Sequence, residues 1–169
     1  MSQDQFLSLG RSVLVLRIIL LSLTGSCLIV LGVALLLHFN GAMPGNGNFL
    51  ITPMAIGWSA LAAVLYFVVP QLQIAAARNR LAQQPPGEDA VALVTVHRSA
   101  AIVGAAQCEG GALFAIIAFM IEGNIYNLVA AALLRALLII QWPTEERVRM
   151  WMIAQYEKIA EMRNNAGTP

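Results

Sequence analysis

Between Ser99 and Glu122 the chain reads SAAIVGAAQCEGGALFAIIAFMIE, an apolar run with one carboxylate, Glu109, near its middle. A helix needs about 20 apolar residues to cross a hydrocarbon core of about 30 Å. Three more runs approach that length, at about 17–39, 49–70 and 125–142. Inside lipid every backbone N–H and C=O must be paired within its own segment, so runs of this kind fold as helices. The reading is an all-α polytopic membrane protein: four transmembrane helices in two hairpins, with the bilayer as its solvent. Of the 169 residues 59% are hydrophobic and only 11% charged, against about 25% charged in soluble domains. A net charge of +1 offers no broad basic surface, so nucleic acid is not an expected partner.

The first run begins after Arg11 and Arg17, as a signal peptide would, and Thr24-Gly25-Ser26-Cys27 resembles a lipoprotein cleavage box. The apolar stretch continues through Leu37, beyond the 7–15 residues of a cleaved h-region, and is read as a retained span. Residues 40–48, NGAMPGNGN, form an uncharged loop of helix-breaking residues. Residues 71–84 favour helix and should prolong the second span into water, until Pro85-Pro86-Gly87 stops it. Glu88 and Asp89 suit the positive end of the next helix. Gly123-Asn124 turns the chain between spans three and four, and Trp142-Pro143 closes the transmembrane domain of residues 1–143. From 144 to 163, Val148, Met152, Gln155, Ile159 and Met162 recur at three- and four-residue steps, the pattern of an amphipathic helix. Its apolar face suits the membrane surface or a partner helix. Residues 164–169 read as a flexible tail.

Lysine and arginine orient the chain. They cluster before span one (Arg11, Arg17), between spans two and three (Arg78, Arg80, Arg98) and in the tail (Arg147, Arg149, Lys158, Arg163), and are missing from the 40–48 and 122–125 loops. Positive flanks stay inside. The expectation is a multi-pass protein of the bacterial inner membrane, with both termini and the amphipathic helix cytoplasmic.

Two charges lie deep in apolar runs, Glu109 and Arg135. Either alone costs at least about 2.5–3.5 kcal/mol in the membrane. Counted from the Gly123 turn at 1.5 Å per residue, their α-carbons differ in depth by only about 4–5 Å. An arginine side chain covers that distance, and an intramembrane ion pair is expected, with Gln107 or Ser99 nearby. Three uses remain open: a register device that docks spans three and four, a proton or ion site in which an unpaired Glu109 holds a proton, or a polar cavity for a ligand or lipid headgroup. Small residues line the same helix. Gly104, Cys108, Gly111 and Ala115 fall on one side at small-xxx-small spacing, which lets backbones approach within one chain or between copies. Cys27 and Cys108 read as small packing residues without metal-ligand or disulfide spacing.

Residues 83–122 resemble the proteolipid (c) subunit of rotary ATP synthases. Ala82-Gln83-Gln84-Pro85 is similar to that family's polar loop, Glu109 falls where its ion-binding carboxylate would, and Gly110-Gly111-Ala112-Leu113-Phe114 follows in a related pattern. The resemblance implies an ion-carrying Glu109 in a ring of copies. It departs where span two lacks a glycine-every-second-residue motif, where the loop-to-carboxylate spacing is longer, and where Arg135 would occupy Glu109. The chain is not assigned to that family. The 99–147 stretch, with Glu109-Gly110-x-x-Leu113-Phe114, a short turn and Pro143-Thr144-x-Glu146, also resembles bacterial four-span membrane proteins, which implies no activity. There is no phosphate-binding glycine loop and no His-Glu-x-x-His, and His38 and His97 lack companions for a metal. The expectation is therefore a non-enzymatic structural or accessory subunit without cofactor or metal, packing on membrane partners or in a homo-oligomer. The alternative is an ion- or proton-translocating subunit using Glu109.

Overall fold

The computed structural model describes residues 3–42, 45, 49–84 and 89–166. These form five helices and no strand: α1 (Gln3–Phe39), α2 (Ile51–Ala82), α3 (Asp89–Glu122), α4 (Ile125–Ile140) and α5 (Glu145–Ala166). Three of them contain stretches long and apolar enough to cross a membrane, at Ser12–Phe39, Ile51–Ala82 and Val91–Glu122. Helix α4 has 16 residues, about 24 Å at 1.5 Å each. It meets the length criterion only together with α5, from which it is bent by 73°. Three to four helices are therefore long and apolar enough to span a membrane.

Helix α3 touches all four others. Its apolar stretch is 56% buried, against 17% for that of α1 and 6% for that of α2. The reason lies in its side chains. Ala105, Cys108, Ala112, Ala115 and Ala118 are small and fully enclosed, so neighbouring backbones come close and dispersion contacts accumulate without bulky residues. The main core joins Ala105, Cys108, Ala112 and Ala115 to Leu16, Leu20 and Cys27 of α1 and to Leu134 and Leu138 of α4. Large apolar residues on the outer faces of α1 and α2, such as Ile29, Leu36, Met54 and Leu72, remain exposed. That suits hydrocarbon as the surrounding solvent.

Several boundaries differ from the sequence reading. The first helix begins at Gln3, well before the expected start at about 17, and runs unbroken to Phe39. Helix α4 ends at Ile140, before the expected 142. Gln141 takes a turn there and Trp142–Thr144 are irregular, because Pro143 has no N–H to continue the helical ladder. Helix α5 passes the expected 163 limit and runs through Ala166. The expected Pro85–Gly87 break, Glu88 and most of the 40–48 loop lie outside the described residues.

The buried face of α5 is Val148, Met152, Gln155 and Ile159. It rests on the chain itself, at the end of the bundle where α1 begins and α2 gives way to α3. Val148 and Met152 cluster with Val13, and Ile159 with Leu81 and Leu93. Arg163 fastens the far end of α5. Its Nη1 and Nη2 donate to Asp89 Oδ2 and Oδ1 at 2.8 and 3.1 Å, and Nη2 also donates to the Leu81 carbonyl at 2.8 Å. These hydrogen bonds to Asp89 raise the Arg163 pKa above its ordinary value.

Candidate functional site

Antiparallel α3 and α4 leave a tight turn in which Gly123 adopts a positive φ of 72° and donates to the Phe119 carbonyl. Asn124 then caps α4 by accepting from the Tyr126 N–H at 3.1 Å. This turn sets the register that brings the deep charges together. Arg135 Nη1 lies 3.2 Å from Glu109 Oε2, and both side chains are largely buried, at 11% and 7% exposure. The other carboxylate oxygen, Oε1, accepts from Ser26 Oγ at 2.6 Å. Ser26 belongs to α1, so one carboxylate ties three helices. Arg135 Nε and Nη2 are buried without a hydrogen-bond partner among the described residues, and the guanidinium fork is only partly engaged.

Gln107 is half-buried, and among the described residues no hydrogen bond joins it to this group. Residues two apart on a helix do not face each other. Ser99 is exposed and likewise apart. Ser26 supplies the contact instead. Its only signal in the sequence was a hydroxyl among the small residues Gly25 and Gly32.

The other named residues of α3 are occupied in packing within the chain. A Cβ on Gly104 would meet the Tyr66 ring at 3.1 Å, and one on Gly111 would meet Ala62 Cβ at 2.8 Å and Leu134 Cδ1 at 2.9 Å. Cys108 and Ala115 are fully enclosed. The glycines thus mark the close approach of α2, with α4 alongside at Gly111.

A second polar cluster, near the turn, was missed. Glu122 Oε1 accepts from the Ile51 N–H at 2.6 Å, and Oε2 accepts from the Thr52 N–H at 2.9 Å and the Thr52 hydroxyl at 2.6 Å. Asn127, fully buried, donates from Nδ2 to Thr52 Oγ1 at 2.9 Å. Glu122 therefore caps α2 from another helix. Leu50, the residue before α2, makes no side-chain cap of its own, and open N-terminal amides need an acceptor. A clue was present in the sequence: a carboxylate at the C-terminal end of its own helix sits at the unfavourable pole and calls for a donor elsewhere.

At the α5 end lies a cavity of about 410 Å³ between α2, α3 and the α4–α5 bend. Tyr66, Gly104, His97, Trp142, Trp151 and Arg147 are among its walls. Tyr66 donates its hydroxyl to Gln141 Oε1 at 2.9 Å, and the His97 and Trp151 rings lie 4.6 Å apart. Among the described residues no cluster of His, Cys, Asp or Glu could hold a metal ion. No protein-family model, curated protein or solved structure matches the chain.

Proposed function

We propose that this chain is a four-span inner-membrane protein with both termini cytoplasmic, serving as a non-enzymatic structural or accessory subunit that packs on membrane partners or on copies of itself. The observation that carries the reading is the use made of Glu109. Both of its oxygens are engaged inside one chain, by Arg135 and Ser26, and the result is a joint between α1, α3 and α4. A carboxylate that carried ions would have to give up these contacts to Arg135 and Ser26. The apolar outer faces of α1 and α2 supply surface for a neighbour. The orientation follows from charge: Arg17, Arg78, Arg80, Arg98 and the basic residues of α5 belong to segments at one end of the bundle, and positive flanks stay cytoplasmic.

The test is chromatography with light scattering in a mild detergent, paired with proton uptake into vesicles. The expected outcome is a particle larger than one chain, or one that retains a copurified membrane protein, with no potential-driven proton uptake above that of empty vesicles. A lone monomer without a partner would count against the accessory role. Proton uptake by wild type that disappears in a folded, assembled Glu109→Gln variant would replace it with the translocation reading.

A further inference from the structure

The cavity at the α5 end has a definite depth. Along α3, Gly104 and His97 lie about 27 and 38 Å from Glu122 at 1.5 Å per residue. The hydrocarbon core of a bilayer is about 30 Å thick. With the Glu122 turn at one face of that core, the cavity straddles the boundary between hydrocarbon and headgroups at the other. Its walls change character at the same level. The deeper side is apolar, with Leu20, Gly104 and Leu138, and the shallower side carries Arg147, His97 and Trp151. No carboxylate is among its lining residues. Arg147 is exposed and fixed in place by donating from Nη1 to the Ile140 carbonyl at 2.9 Å. The volume of about 410 Å³ falls within the range of about 300–1,000 Å³ typical of ligand pockets.

We infer that this cavity is a binding site for an anionic phospholipid of the leaflet on the α5 side, with an acyl chain between Tyr66, Gly104 and Leu138 and the phosphate at Arg147. The inference rests on the chain spanning a membrane and is independent of the accessory role. The bend after α4 makes the space: the fourth helix stops short, and α5 turns away at 73°. Gly104 keeps the Tyr66 ring against α3, so the ring forms a wall of the cavity.

The experiment uses phosphatidylglycerol and phosphatidylcholine, each offered to the full chain in a nonionic detergent, with retained lipid read by native mass spectrometry. Wild type should retain phosphatidylglycerol over phosphatidylcholine by about fivefold, the weight of one interfacial arginine against an anionic headgroup. Arg147→Gln should erase that preference, and Ala101→Phe, which fills the cavity, should lower retention of both lipids. A second readout leaves the cavity unchanged. In Trp58→Phe, the remaining tryptophans Trp142 and Trp151 both line the cavity and should be quenched saturably by trace brominated phosphatidylglycerol. Equal retention of the two lipids by wild type would overturn the inference, as would a folded Ala101→Phe that binds normally. So would quenching that grows linearly with brominated lipid and never saturates, the mark of bulk lipid only.

Discussion

Among the described residues, two arginine–carboxylate pairs tie helices together, and they are built differently. At the α5 end, Arg163 grips Asp89 with two nitrogens at 2.8 and 3.1 Å and reaches the Leu81 carbonyl as well. In the apolar bundle, Arg135 touches Glu109 through one nitrogen at 3.2 Å and leaves Nε and Nη2 without partners among the described residues. The shortest bond to Glu109 comes instead from a neutral hydroxyl, Ser26. The outer pair depends on the shape of the guanidinium fork. The inner pair depends mainly on opposite charge, because in hydrocarbon an unpaired ion is costly whatever its geometry.

The comparison is most severely tested by removing one inner partner. Glu109→Gln leaves Arg135 buried and uncompensated, and thermal unfolding in detergent should show a loss of about 3–5 kcal/mol. The double variant Glu109→Gln/Arg135→Gln should recover most of it. A double variant as damaged as the single would mean that geometry matters more than charge at that site. Ser26→Ala should cost less, about 1.5–3 kcal/mol for a hydrogen bond to a charged group. The smallest global effect should come from exchanging arginine for lysine. Arg135→Lys keeps a point charge and one contact, and its melting should stay within about 1 kcal/mol of wild type. Arg163→Lys loses the fork, so hydrogen exchange should quicken about tenfold across α5, the weight of one charge-assisted bond, while the spans stay protected. Equal tolerance of lysine at both positions would dissolve the distinction.

The difference also explains what the sequence could convey. Helix formation in the apolar runs follows from backbone pairing alone, and the likeness in depth of Glu109 and Arg135 follows from counting residues on both sides of a short turn. Rotation about a helix axis is not a matter of counting. Which residue of α1 would face Glu109 depended on how α1 settles against the small residues of α3, so Ser26 was hidden. The repeat from Val148 to Ile159 defined the buried face of α5, but nothing in the repeat named Val13, Leu81 and Leu93 as its cover. The Glu122 cap was the most readable of the missed contacts, since both the misplaced carboxylate and the uncapped start of α2 are visible in the sequence.

That cap carries a consequence for biogenesis. The Thr52 amide and the Glu122 carboxylate that receives it are 70 residues apart. A ribosome delivers the start of α2 long before its acceptor exists. Until Glu122 is in place those amides need another acceptor, so the start of α2 is capped only once the end of α3 lies beside it.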